Sequence, residues 1–294
     1  MNKQFFIKQI RQNFPSLKFK KLSVINHGWN KTVIVMDHKT VFAFPKNDEA
    51  RNKFISELKI LPKLNKKITL PIPDFKFIPT NKTFVGYPFI SGSPLSLSKF
   101  KTLSSGQKNT VAKNLSVFLN ELHSFSVSTA QKNNVTLAWS EKDAKDYYSK
   151  QINVVYKKLT LKDAALLEDI FKTHCGKITK SNFKKTVTHQ DLTSDHILFN
   201  NKTKRICGII DFGGIQIGDP AIDFSKLWEY GKEFVSKLID SYNSKDKQLI
   251  SRSFRWYIYE CVENMYCGIT MNRKDYWRKG YALIKSNSQL LVKK

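Results

Sequence analysis

The sequence predicts an α+β chain of two lobes: a small antiparallel-sheet lobe over residues 1–91 and a larger, mainly helical lobe over residues 92–294. Three observations carry this expectation. Short β-branched and aromatic runs separated by Asn, Gly, Asp and His fill much of the first hundred residues, which read as strand-rich. Apolar residues at helical spacing dominate from about residue 93 onward. No repeat or low-complexity linker divides the chain in another way.

In the small lobe, Leu22 to Ile25, Thr32 to Met36 and Thr40 to Phe44 read as three strands of a meander, separated by turn-forming residues. A helix follows, because Phe54, Leu58, Leu61 and Leu64 recur on one face and leave Glu57 elsewhere on the wheel. Pro71 and Pro73 force an extended connection, since proline restricts the residue before it as well as itself. "TFVGYPFISG" then predicts a strand ending at Gly92, with a hinge at Tyr87 to Gly92. In the larger lobe, Val111, Leu115, Phe118, Leu119 and Leu122 form a continuous apolar stripe, and Asp143 to Thr173 supplies one or two further helices. "RICGIIDFGG" reads as a strand and turn, and Ala221 to Leu291 returns to aromatic-rich helix.

A hydrophobic content of 41% can fill a core in a chain of 294 residues. The formal charge of +26 invites a nucleic-acid reading, but 43 of the 50 basic residues are lysines scattered along the whole chain and only seven are arginines. Bidentate recognition of phosphate or guanine favours arginine, so a solvated lysine-rich surface is expected and nucleic acid is not expected as a partner. No apolar run reaches the roughly 18 residues of a membrane span, which argues against a membrane partner. Cys175, Cys207, Cys261 and Cys267 show neither a CxxC pair nor zinc spacing, as expected of reduced thiols in a cytoplasmic protein.

"VTHQDLTSDHILFN", Val187 to Asn200, places His189, Asp191 and His196 in an apolar frame, and Asp211 follows in "GIIDFGG" at the end of an apolar strand. Phosphoryl transfer needs such a set. One carboxylate must stand beside the attacking hydroxyl, and further ligands must hold Mg²⁺ against the nucleotide phosphates. These segments resemble those of the aminoglycoside phosphotransferases, a family with the protein-kinase-like bilobal fold. "HQDLTSDHILF" is similar to the catalytic loop, "GIIDFGG" to the metal-binding segment, and "IGDPAIDF" (Ile217 to Phe224) to the stretch that follows. Weaker likeness extends to "GWNKTV…VFAFPK" and "FLNELHS", so most of the chain is covered. The 2''-phosphotransferase branch looks nearest, since its second metal-ligand position is often histidine.

The resemblance implies a phosphotransferase that moves the γ-phosphoryl group of ATP or GTP to an alcohol of a small molecule, with an aminoglycoside-type antibiotic as the leading acceptor. Asp191 would orient the hydroxyl and take its proton, and His189 would hold the loop. Asp211 and His196 would ligate Mg²⁺, His196 through water if imidazole proves too poor a ligand for that ion. Glu57 falls at the helix glutamate of the small lobe. Tyr87, Phe89 and Ile90 fall where the hinge holds the nucleotide base, and a bulky Tyr87 would favour guanine.

Two departures stand out. The strand position of the phosphate-gripping lysine is Ala43. Lys46 is the first substitute, if the strand ends at Pro45, and Lys31 in the preceding turn is the second; without either, the chain would be a pseudokinase-type binding module. Gly28 stands alone where nucleotide-covering loops have several glycines. From Asp219 onward there are nine acidic and fourteen basic residues, unfavourable for a polycation, yet Asp219, Glu229, Glu233, Glu260 and Glu263 are grouped as candidate acceptor ligands. Asp219 also reads as a helix cap and Asp223 as a partner of the catalytic-loop backbone. His27, His38 and His174 read as surface residues, and His123 as a capping cation at a helix end.

Overall fold

A computed structural model describes residues 3–26, 28, 30–175 and 183–292. His27, expected at the surface, lies outside the described residues. The chain opens with helix α1 (Lys3–Asn13), then strands β1 (Leu22–Ile25), β2 (Lys31–Met36) and β3 (Thr40–Pro45), helix α2 (Asp48–Leu64) and strand β4 (Val85–Pro88). The four strands form one antiparallel sheet in sequence order. Val33 pairs with Ala43 and Lys31 with Pro45, while Ala43 pairs with Val85 and Val41 with Tyr87. Cross-strand partners share a face, so Lys31, Val33, Ala43, Val85 and Tyr87 all lie on one side of the sheet. Ile34, Phe42 and Phe44 lie on the other.

That second face is covered by α1. Phe6 and Ile10 are buried with Ile34, Met36, Phe42, Phe44 and Phe84, and the Phe6 and Phe44 rings meet at 4.9 Å. The reading of the first hundred residues as strand-rich passes over this helix, although Phe6, Ile10 and Phe14 recur at four-residue intervals. On the first face α2 packs through Phe54 against Ala43 and Val85. Asn47 caps α2 by accepting from the Ala50 amide, which fixes the rotation that turns Glu57 inward.

The remainder is mostly helical. It comprises β5 (Ser93–Pro94), α3 (Leu97–Lys101), α4 (Ser105–His123), α5 (Val127–Lys132), α6 (Glu141–Tyr156) and α7 (Leu161–Cys175), followed by β6 (Thr186–Thr188), β7 (Ile197–Asn200), β8 (Arg205–Ile209) and β9 (Gln216–Gly218). Helices α8 (Ile222–Ser225), α9 (Lys232–Ser241), α10 (Leu249–Thr270) and α11 (Lys274–Val292) close the chain. The stripe from Val111 to Leu122 is buried as expected, and α10 runs through the same core with Tyr257, Ile258, Val262 and Met265. Two small sheets, β5-β7-β8 and β6-β9, carry the loops that follow. Among the described residues no helix is long and apolar enough to cross a membrane.

Candidate active site

The loop from His189 to His196 leaves β6 and enters β7, and its shape is set by buried hydrogen bonds. Asp223 accepts from the His189 amide at 2.8 Å and from the Gln190 amide at 2.8 Å, so both its oxygens hold loop backbone. Gln190 has a left-handed φ of 68°, a conformation that such bonding must hold in place. Behind Asp223, His123 Nε2 lies 3.0 Å away and His123 Nδ1 lies 2.7 Å from the Tyr242 hydroxyl. His123 is therefore a buried link in the chain that anchors the loop, not an exposed capping cation. His174 also differs from its surface reading, packing edge-on against Phe254 at 5.2 Å.

His189 is fully buried, and burial lowers its pKa, which keeps the ring neutral. Its Nε2 donates to the Ile210 carbonyl at 3.2 Å, and its Nδ1 accepts from the Asp191 amide at 3.3 Å. One ring thereby ties the loop to the segment that carries Asp211. His196 lies between the two carboxylates. Its Nδ1 donates to the Asp191 carbonyl at 2.7 Å, and its Nε2 faces Asp211, whose Oδ2 lies 3.6 Å away. The Asp191 side chain, through Oδ2, is 3.5 Å from the same ring.

Asp211 follows β8 with φ 63° and ψ 70°, the left-handed region, and it heads a 3₁₀ turn by accepting from the Gly213 amide. Lys31 Nζ lies 3.1 Å from Asp211 Oδ1 and 2.5 Å from Glu57 Oε1. Gly213 makes that approach possible, since a Cβ there would stand 2.9 Å from Glu57 Oε1 and 3.3 Å from Lys31 Nζ. Burial opposes the charge on Lys31, but Asp211 and Glu57 more than offset it and raise its pKa. The ammonium of Lys31 holds Asp211 well below the usual carboxylate range, against the opposing effect of burial. Lys31 is the first residue of β2, not part of the preceding turn. The sheet register shows why it reaches: paired with Pro45, it lies on the same face of the sheet as Val33 and Ala43.

Lys46, the first substitute, is directed elsewhere. Its ammonium donates to the carbonyls of Asn26 and Gly28 at 2.6 and 2.5 Å, tying down the β1–β2 turn. Tyr87 is directed into the cleft beside this cluster, and burial raises its phenol pKa. Phe89 donates its amide to the Lys39 carbonyl at 2.8 Å, and Ile90 packs over Gly208, where a Cβ would meet Ile90 Cγ2 at 2.5 Å.

On the other side of Asp191, Lys226 Nζ lies 3.0 Å from Asp191 Oδ1 and 2.9 Å from Glu260 Oε1. Burial alone would raise the Asp191 pKa, but Lys226 and His196 more than offset it and lower it. Glu263 accepts from the Tyr148 hydroxyl at 3.3 Å, and Glu229 accepts from the Ser194 amide at 3.2 Å; burial raises both carboxyl pKa values. Two candidate acceptor ligands are not brought to the cleft. Asp219 is buried in a bidentate pair with Arg252 at 2.9 and 3.0 Å and receives the Trp256 indole N–H and the Ala221 amide. Nor does it cap α8, which begins after Ala221 with no side-chain cap bond; Asp219 supports the turn before that helix. Glu233 is exposed and pairs with Lys237 one turn along α9.

Asp211 offers a divalent ion an oxygen ligand, and His196 Nε2 lies beside it. Among the described residues no group of three His, Cys, Asp or Glu side chains converges to hold a metal.

A sheet lobe joined to a helical lobe, with a lysine–glutamate pair and two aspartates converging between them, defines a phosphotransferase of protein-kinase-like fold. The chain belongs to the phosphotransferase enzyme family, whose model matches residues 21–254. Its fold is similar to that of the GDP complex of wild-type aminoglycoside 2'-phosphotransferase-IIIa, with a TM-score of 0.86, 24% identity, and coverage of 98% of this chain and 99% of that one. It is also similar to aminoglycoside phosphotransferase APH(2'')-Ib in its ADP-bound form, with a TM-score of 0.70, 21% identity and full coverage of both chains. Macrolide 2'-phosphotransferase type I matches with a TM-score of 0.71 at 19% identity, covering 97% of this chain and 98% of that one.

Proposed function

We propose that this phosphotransferase moves the γ-phosphoryl group of ATP or GTP to a hydroxyl of a small molecule, an aminoglycoside-type antibiotic first among the candidates. The observation that carries the reading is the position of His196, within 3.6 Å of both Asp191 and Asp211, while Lys31 joins Asp211 to Glu57. This convergence supports a site in which base, metal ligand and phosphate-binding cation act together. The nucleotide base lies against the hinge from Tyr87 to Ile90, and its phosphates run toward Lys31. Asp211 and His196 would hold Mg²⁺, which would supply positive charge to offset that of the phosphates. Asp191 accepts a hydrogen bond from the acceptor hydroxyl. As the hydroxyl oxygen bonds to the γ-phosphorus, the bond to the β-phosphate oxygen breaks, the nucleoside diphosphate leaves, and the hydroxyl proton passes to Asp191. The names of the structural relatives support this acceptor class and a purine nucleotide donor, since they include GDP and ADP complexes and a kanamycin complex.

The alternative, a pseudokinase, is motivated by Ala43. The pairing of Lys31 with Glu57 disfavours it, because the cation absent from β3 is supplied by β2. The test is to incubate the protein with Mg²⁺, ATP or GTP, and a panel of aminoglycosides and macrolides, and to detect a phosphorylated product by mass spectrometry. Product from the wild type and none from Asp191→Ala is expected; product persisting in Asp191→Ala removes the assigned base. A nucleotide at a hundred times its dissociation constant should stabilise the fold by about 2.7 kcal/mol, and nucleotide binding without transfer would establish the pseudokinase instead.

A further inference from the structure

Lys226 occupies the acceptor side of the cleft in a way that the phosphotransfer machinery does not require. It follows α8 directly, and α8 supplies Asp223, so the segment that holds the catalytic-loop backbone also fixes the origin of this side chain. Its ammonium bridges Asp191 on the loop and Glu260 on α10, at 3.0 and 2.9 Å. The side chain is only 20% exposed, against 41% for Asp191 and 25% for Glu260, so the cation lies deeper than the base it touches. Two of its three N–H groups are used in these bonds. With Asp191 as the base, an ammonium next to the reacting hydroxyl of a cationic acceptor would compete with Lys226 for the same two carboxylates.

We propose that Lys226 is the specificity-determining residue of the acceptor site: its built-in ammonium fills the cation position between Asp191 and Glu260. The acceptor must then present a hydroxyl flanked, on the Glu260 side, by another hydroxyl or a carbon substituent and not by an amine. This rests on the phosphotransfer reading above and narrows its substrate class. Two ammonium groups in one such position repel strongly, whereas a neutral hydroxyl can accept from Lys226. Amines elsewhere on the acceptor remain compatible with the site, because Glu263 stands one helical turn beyond Glu260 on α10.

The test uses calorimetric titration of the full-length wild type, Lys226→Ala, Lys226→Arg and the double variant Lys226→Ala/Glu260→Gln at physiological ionic strength. Spermidine probes the cation position without needing an aminoglycoside pocket. Lys226→Ala should bind it about tenfold more tightly than the wild type or Lys226→Arg, and the double variant should return toward wild-type affinity. Kanamycin and an analogue with hydroxyl in place of the amine beside the acceptor hydroxyl then probe specificity. The wild type should favour the hydroxyl analogue, and Lys226→Ala should shift the ratio toward kanamycin by about tenfold. Equal spermidine binding by the wild type and Lys226→Ala overturns the inference, whether or not kanamycin binds. Tighter spermidine binding by Lys226→Ala together with no phosphorylated product from any acceptor would instead sustain the cation position and remove the kinase reading.

Discussion

Each side of the cleft sets one lysine between two carboxylates, but the two sides bury them differently. On the sheet side Lys31 bridges Glu57 and Asp211, and Glu57 is only 5% exposed in its side chain. On the helical side Lys226 bridges Asp191 and Glu260, both of which solvent reaches. Removing Lys31 strands a buried carboxylate, and a buried charge without a partner is costly. Removing Lys226 exposes two carboxylates that water or a cation from outside can satisfy. Lys31 is therefore tied into the fold through Glu57, whereas a change at Lys226 should cost little stability.

The sharpest break in this comparison is expected from the base itself. Asp191→Ala should lower kcat by about 10²- to 10⁴-fold, the usual range for general base catalysis, while leaving nucleotide affinity nearly unchanged. Steady-state kinetics with separate nucleotide titrations reads both quantities. Away from the cleft, Arg252→Ala should cost on the order of 3–5 kcal/mol of stability, because it leaves Asp219 buried without its bidentate partner. Denaturant unfolding measures that loss, and a cost near zero would show that Asp219 is not the structural residue its contacts describe. His123→Ala should destabilise by about 1–3 kcal/mol and lower kcat as well, since Asp223 loses the group that holds it against the loop.

A smaller effect is expected from pH. Burial keeps the folded-state pKa of His189 below the ordinary 6.5, whereas the unfolded chain takes up the proton near that value. Below 6.5 the unfolded state therefore binds more protons, and stability falls as pH falls toward the folded-state pKa. Denaturation midpoints at pH about 7.5 and about 5.5 should show this slope, and His189→Gln should flatten it. Smallest is Lys46→Ala, for which transfer rates within a few-fold of wild type are expected, because Lys46 holds carbonyls of the β1–β2 turn and is not in the cluster around Asp211. A loss of about a hundredfold would make Lys46 the phosphate-binding cation after all.

The two sides also differ in how much of them the sequence reveals. The loop from His189 to His196 and the segment at Asp211 are local, so their order and spacing already bring the carboxylates together. Asp223 is legible for the same reason, lying a short distance after Asp211. The lysine is not, because its position depends on strand register. Ala43 marks a gap, but only the pairing of Val33 with Ala43 shows that Lys31 lies on the same face. The carboxylates after Asp211 are least legible, because those from different helices read alike. Asp219 and Glu260 are both acidic residues within or near helices, and only tertiary contacts join the first to Arg252 and the second to Lys226. Helix α1 was hidden by composition, as phenylalanine and isoleucine suit a strand as readily as an apolar helix face.

The proposed assignment of the phosphate-binding lysine to β2, in place of β3, rests on the sheet register that sets Lys31 and Ala43 on one face. Its most direct measurement is the single-turnover transfer rate of the wild type, Lys31→Ala and the double variant Lys31→Ala/Ala43→Lys. Lys31→Ala should lose about 10²- to 10³-fold, and the double variant should regain much of it by restoring the cation from the adjacent strand. A Lys31→Ala rate near that of the wild type, or a double variant no faster than the single one, would contradict the account.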